Sequence, residues 1–227
     1  MLHTRSKSRP ATVDWFTEGL GTPEIDAILS NATIHGFQAK EVIFRSGELA
    51  KRLYLLRKGS VKFYRVSHHG HEVVLGYLMP GELFGLGTLP IHPLNYLGTA
   101  EPLDDCEAYV WDHACVLRLA LHYPLLAANS LRISLHYVAQ FAGRHISLAS
   151  CSMEERLART LTGLGDRSGH ATPGGVEVDV KNEQLASLAD VNYFTTSKLL
   201  KKWQRIGAVK KSRGKVLIKC PEKLLTE

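Results

Sequence analysis

The sequence changes texture once, near residue 120, and that change limits the folds open to it. From Ala39 to Leu119, short runs rich in β-branched and aromatic residues recur: EVIFRSGE, KRLYLLRKGSVKFYRV, EVVLGYLMPGELFG and CEAYVWDHACVLRL. Gly47, Gly59, Gly70, Gly81 and Gly87 punctuate this region at intervals of about ten residues. The rhythm predicts a compact antiparallel sandwich or barrel, with turns at Lys58-Gly59, Gly70-His71 and Pro80-Gly81. From Tyr123 to Leu148 the only glycine is Gly143, and the only proline is Pro124, which suits a helix's first turn. Ala127, Leu131, Ser134, Val138, Phe141, His145 and Leu148 recur at spacings of four and three, one face of a long helix. About 25 residues at 1.5 Å each make a rod of roughly 38 Å. A small β domain does not need so long a rod for its own core. The face therefore predicts a dimer seam, with an ordinary helix lying across the sandwich as the alternative.

After the rod a second domain begins. Ser152 and Glu155 form a capping box that starts a helix over ERLARTLTGLGD, expected to end at Gly163–Gly165. DRSGHATPGG reads as a loop. The division is 1–122, 123–151 and 152–227, with residues 1 to about 20 polar and expected to be loosely held.

The charge is concentrated in this second domain. Val191 to Pro221 holds nine Lys or Arg and no Asp or Glu. The chain as a whole carries +6, so everything outside that stretch sums to −3. Clustered cations release counterions from nucleic acid, which points to a polyanionic partner. The apolar positions Leu185, Leu188, Ala189, Val191, Leu199, Leu200 and Trp203 fall into two sets around Asp190, which tolerates a left-handed turn, and Asn192, a good N-cap. That is the layout of a helix-turn-helix. Its second helix is expected to bury Thr196, Leu199, Leu200 and Trp203 and to expose Tyr193, Phe194, Ser197, Lys198, Lys201 and Lys202. GAVKKSRGKVLIK then predicts a hairpin wing turning at Arg213-Gly214. Lys201, Lys202, Lys210, Lys211, Arg213 and Lys215 are read as phosphate contacts, Lys198 as either phosphate or base contact, and Tyr193, Phe194, Thr195 and Ser197 as the sequence-reading face. The competing class is a scaffold whose winged domain binds protein. No nucleophilic triad or carboxylate pair is placed by motif, so the chain is not read as an enzyme.

The order of parts resembles the Crp/Fnr family of bacterial transcription regulators across about residues 25 to 220. EVIFRSGE, LYLLRKGSVKFYR, LGYLMPGELFG and LDDCEAYVWD carry the resemblance. It implies an α+β fold: an N-terminal β-roll (a cyclic-nucleotide-binding-like jelly roll), a long central dimerisation helix and a C-terminal winged helix-turn-helix. It also implies a cytoplasmic homodimer that controls promoters, with double-stranded promoter DNA and RNA polymerase as partners. The dimer seam is then assigned to Leu131, Val138, Phe141, His145 and Leu148, and DNA contacts to Tyr193, Phe194, Thr195, Ser197, Lys198, Lys201, Lys202, Lys211 and Arg213. The family's Arg-Glu-Arg reading trio is replaced here by Tyr193, Phe194 and Lys198. Bidentate Arg–guanine recognition is thereby lost at the first position. An A·T-richer operator of two half-sites about one helical turn apart is expected.

By the same resemblance the effector pocket is formed by Phe84, Gly85, Leu86, Tyr96, Leu97, Phe141 and Ala142. Family members that bind cyclic AMP carry Glu where Leu86 stands and Arg-Ser where Tyr96-Leu97 stands. A phosphate needs a cation or a nest of N–H donors, and these residues supply no cation, which disfavours cyclic AMP. An apolar or aromatic ligand held by Tyr96, haem, or no ligand at all remain open. The segment NYLGTAEP resembles haloaromatic-acid sensors. The family's iron–sulfur sensors carry an N-terminal cysteine cluster, and here the first cysteine is Cys106. Cys106, Cys115, Cys151 and Cys220 form no C-x-x-C pair, so they are read as inert thiols of a reduced compartment, with Cys151 at the hinge. His68, His69 and His71 at a hairpin tip are read as a solvated turn, and no metal site is assigned. No run of about 18 apolar residues exists, so no membrane span is expected.

Overall fold

The computed structural model describes residues 15–224. The polar N-terminal residues 1–14, expected to be loosely held, lie outside the described residues. The chain forms two compact units, Met1–Ala139 and Gln140–Glu227. The boundary falls inside the long helix, whereas the sequence reading set residues 123–151 apart as a segment of their own.

In the first unit, helix α1 (Thr22–Ser30) precedes seven strands: β1 (Thr33–Phe37), β2 (Arg52–Lys58), β3 (Val61–Val66), β4 (Glu72–Leu78), β5 (Leu83–Phe84), β6 (Thr99–Pro102) and β7 (Cys106–Asp112). Two antiparallel sheets result, in the orders β1-β7-β2-β5 and β4-β3-β6. The expected turn glycines Gly59, Gly70 and Gly81 all have positive φ, the conformation that suits glycine. Helices α2 (His113–His122) and α3 (Pro124–Ser150) follow. One core lies between the sheets and includes Phe44, Tyr54, Phe84, Tyr96 and Val110. A second, on the helix side, joins Leu53, Leu83 and Trp111 to Val116, Leu119, Leu126 and Ile133. Asn129 of α3 is buried and donates to the Phe16 and Glu18 carbonyls at 3.1 and 2.9 Å, so its amide does not go unsatisfied.

In the second unit, α4 (Met153–Ser168) is followed by β8 (His170–Thr172), β9 (Gly175–Asp179), α5 (Asn182–Ala189), α6 (Tyr193–Arg205), β10 (Val209–Ser212) and β11 (Lys215–Ile218). Ser152 and Glu155 make the reciprocal cap that the sequence predicts. The helix does not stop at Gly163–Gly165 as expected; it continues to Ser168. A Cβ on Gly165 would sit 3.2 Å from the Ile218 side chain, so this glycine serves close packing on the sheet and is no terminator. Nor is DRSGHATPGG all loop. His170–Thr172 pairs with β9, giving a four-stranded sheet in the order β10-β11-β9-β8. The core of this unit joins Leu157 and Leu161 of α4, Leu185 and Ala189 of α5, Leu200 and Trp203 of α6, and Val209, Val216 and Ile218 of the hairpin.

Candidate nucleic-acid interface and effector pocket

Local chemistry fixes the two helices of the head. Asp190 ends α5 in the left-handed region, at φ 50° and ψ 46°. Asn192 then caps α6, its side-chain oxygen accepting from the Thr195 N–H at 2.8 Å. Thr196, Leu200 and Trp203 are fully or almost fully buried and Leu199 is half-buried, while Tyr193, Phe194, Lys198, Lys201 and Arg205 are exposed. Phe194 is 83% exposed and meets the Tyr193 ring edge-on at 6.0 Å, which leaves most of a large aromatic side chain in water. The wing forms as expected, with Val209–Ser212 paired to Lys215–Ile218 and Gly214 at φ 73° in the turn. Lys210, Lys211 and Arg213 are exposed on it.

Three residues placed on this face by the sequence are constrained by contacts. Lys202 is half-buried and forms an ion pair with Glu154 of α4 at 2.7 Å, so the expectation of a free phosphate contact is corrected. The same carboxylate accepts from the Trp203 indole at 3.1 Å. Lys215 is paired with Glu177 at 2.6 Å and Asp179 at 3.3 Å on the neighbouring strand, and these acceptors hold its ammonium pKa above the ordinary lysine value. Ser197 is half-buried and accepts from the Asn182 amide at 3.1 Å, which ties it to α5; Thr195 is half-buried as well. The remaining seven of the nine cations, Lys198, Lys201, Arg205, Lys210, Lys211, Arg213 and Lys219, are exposed with no ion pair among the described residues. Arg205 was missed as a site residue, although its spacing of four from Lys201 places it on the same face.

The expected effector pocket is packed with side chains on its roll side. Phe44 and Tyr96 stack with centroids 3.8 Å apart, and Tyr54 and Phe84 stack at 5.0 Å. The Tyr96 hydroxyl donates to the Arg52 carbonyl and accepts from the Arg52 N–H, each at 3.1 Å. It is therefore engaged, and the idea of a free polar handle is corrected. Burial pushes the phenol pKa of both Tyr54 and Tyr96 upward, so both stay neutral hydroxyls. Gly85 lies at φ 81°, and a Cβ there would come 2.7 Å from the Arg52 carbonyl oxygen, which keeps the segment close against β2. Leu86 packs with the helix-side core and Leu97 is exposed, so neither faces the ring stack of the roll interior. Phe141 (half-buried) and Ala142 (exposed) belong to the second unit.

On the helix side of the Leu86 turn lies an apolar cavity of about 380 Å³, lined by residues that include Leu53, Leu86, Leu89, Trp111, Leu119 and Leu126, with Ser130 and Ser134 as its only polar side chains. Its walls come from residues 16 to 134, so no local pattern marks it. Burial raises the Cys106 thiol to about 11, helped by Asp104, and burial also raises Cys115, so both remain thiols at neutral pH. His68, His69 and His71 are exposed in the β3–β4 turn, and no cluster that could hold a metal ion occurs among the described residues.

Residues 34–123 match the model of the cyclic nucleotide-binding domain, and residues 155–226 that of the Crp-like helix-turn-helix domain. The chain belongs to the Crp/Fnr family of transcription regulators. Among curated Crp/Fnr relatives, the cyclic AMP receptor protein of Thermus thermophilus is 27% identical over 88% of this chain and 90% of its own. The regulatory protein HlyX of Actinobacillus pleuropneumoniae is 24% identical over 76% of this chain and 72% of its own. A CooA variant from Carboxydothermus hydrogenoformans shares the fold with a TM-score of 0.76 at 17% identity, covering 96% of this chain and 95% of that one. The Crp/Fnr assignment makes the chain a DNA-binding transcription regulator, with α5 and α6 as its helix-turn-helix.

Proposed function

We propose that the chain acts in the cytoplasm as a homodimer on promoter DNA, together with RNA polymerase, and reads a two-half-site operator with α6 in the major groove. The observation that carries this reading is the composition of the head's exposed surface: seven exposed cations with no ion pair among the described residues, three of them on the same helix as an exposed, uncharged Tyr193-Phe194 pair. The cations supply sequence-independent phosphate attraction, and the aromatic pair suits thymine methyl groups better than guanine edges. Leu131, Val138 and Leu148 of α3 are 61%, 62% and 46% exposed in the single chain, which supports their use as a seam against a second copy. Phe141 and His145 extend that seam.

For the effector we favour an uncharged apolar molecule over a cyclic nucleotide. From Gly85 to Gly98 there is no Lys or Arg, and the Thr88 and Leu89 N–H groups are already spent on carbonyls of their own turn. A phosphate would meet no lysine or arginine there. The apolar cavity under Leu86 and Leu89 is of a size that small ligands occupy. The deciding experiment is a salt titration of binding to a duplex of random sequence. If each head supplies about three phosphate contacts, a dimer gives a slope of log K against log salt of about −5 to −6. An affinity that stays flat between about 50 and 200 mM salt would instead assign the winged domain to a protein partner.

A further inference from the structure

Asp190 occupies a position where a side chain is a liability. Its φ of 50° is one of two positive values at non-glycine residues among those described, and glycine adopts that region without the steric cost of a Cβ. The carboxylate has a use, however. Arg144, in the last two turns of α3, directs Nε at 2.9 Å and Nη2 at 2.6 Å onto Asp190 Oδ2. Arg144 Nη2 also reaches the Ser187 carbonyl at 3.4 Å. The pair is sheltered, with side-chain exposures of 21% and 31%. A second arginine completes the arrangement. Arg156 of α4 donates to the carbonyls of Ala189 at 3.1 Å, Asp190 at 2.9 Å and Cys151 at 3.1 Å. The orphan carbonyls at the C-terminus of α5 are thus satisfied from outside the helix-turn-helix, and the last of these bonds captures the residue just after α3.

We propose that Arg144 and Asp190 are positioning residues for DNA reading: the pair fixes the helix-turn-helix on the end of α3, so that the direction of α3 sets the presentation of α6. Arg156 holds the turn itself and the Cys151 hinge, while Arg144 links the side of α3 directly to the turn. Both arginines, Asp190 and the whole head belong to the second unit, so the link does not depend on how the two units are arranged. A chain that needed only a tight turn would gain by glycine at position 190. The carboxylate there is explained by the partner it reaches.

The inference rests on the chain's reading of DNA through α6, and the test separates failure of one from failure of the other. Wild-type full-length protein is used to enrich a duplex from a random pool. Asp190→Gly, Arg144→Gln and the double variant are then compared on that duplex and on a random-sequence duplex. Asp190→Gly relieves the backbone and removes a negative charge beside the DNA-binding face, so a turn-only role predicts equal or tighter binding with an unchanged or raised melting temperature. Positioning predicts the reverse: about tenfold weaker binding of the enriched duplex, unchanged binding of the random one, and a double variant no weaker than either single one. Binding of the enriched duplex by Asp190→Gly at wild-type strength overturns the proposal. Should the wild type enrich no duplex, the DNA reading fails instead. The link is then judged by hydrogen exchange: amides 145–152 should exchange about fivefold faster in Arg144→Gln, and unchanged exchange there overturns it.

Discussion

The inner face of α6 holds an unsatisfied group whose removal has a calculable effect. Thr196 is fully buried, and its hydroxyl oxygen has no hydrogen-bond partner among the described residues. Leaving a buried hydroxyl unpaired costs about 1–3 kcal/mol. Thr196→Val replaces the hydroxyl with a methyl group of similar size, and the helix propensities of Thr and Val are close. Neighbouring Leu200 and Trp203 already make this face apolar. The substitution should therefore stabilise the second unit by about 1–2 kcal/mol. For a domain of this size each kcal/mol moves the melting temperature by about 4–8 °C, so a rise of about 5–15 °C is expected. Of the chain's three tryptophans, only Trp203 lies in the second unit. Fluorescence of a Trp15→Phe, Trp111→Phe background therefore reports that unit alone. No exposed surface changes, so duplex binding should stay at the parental level. A loss of about 1 kcal/mol or more would show that the hydroxyl is bonded in solution, and the packing argument for this face would be wrong.

Other consequences can be checked separately. Phe194→Ala should lower affinity for an enriched duplex about tenfold, as a lost base contact does, while leaving the random-sequence affinity and its salt slope unchanged; an equal loss on both duplexes would make Phe194 a structural residue. Val138→Asp puts a charge on the exposed apolar face of α3 and should convert a dimer to a monomer in light scattering; a dimer that survives places the seam elsewhere. Glu155 has its carboxyl pKa held below the ordinary value, first by the Ser152 N–H and then by the Ser152 side chain. Its folded-state pKa is depressed, so its stabilisation is present above the ordinary carboxylate range and is lost as pH falls through the folded value. Urea unfolding from about pH 5 downward should be less pH-dependent in Glu155→Gln, which keeps a cap acceptor; equal slopes would deny the cap this role.

What the sequence revealed and what it hid follow from how far apart the interacting groups lie. The turn glycines, the Ser152–Glu155 cap, the Asp190 turn and the Asn192 cap are all set by residues within three or four positions, and each was legible. The burial of Leu185, Leu200 and Trp203 followed from periodicity alone. Lys202 looked like its neighbours Lys198 and Lys201 because Glu154 is 48 residues away and nothing local marks it as a partner. Tyr96 looked available because its partner is the backbone of Arg52, on a different strand. β8 was invisible because three residues, His-Ala-Thr, carry no strand pattern until β9 pairs with them. Arg144 sits on an otherwise seam-like helix, and its role appears only when α5 is folded against it.

The charge that marks the second unit and the residues that read sequence occupy one arc of α6. At about 100° per residue, Lys201, Phe194, Arg205 and Lys198 fall within about 60° of one another. Tyr193 lies about 80° beyond Lys201, outside that sector and next to the buried one. Thr196, Leu200 and Trp203 take the opposite sector, and Lys202, on the border between them, is neutralised by Glu154. A cation on the border that pairs with an acid of α4 adds to the anchoring of α6 and takes nothing from the outward field. The outward cations, Lys198, Lys201 and Arg205, thereby surround Phe194 with charge that is free to meet phosphate. Phosphate attraction is long-ranged and indifferent to sequence, so it brings α6 to the groove without deciding where it stays. That decision falls to uncharged contacts close to the helix N-terminus and to the angle at which α6 is held. For this chain the second factor is fixed by Arg144, Asp190 and Arg156, none of which lies in the basic stretch that announces DNA binding.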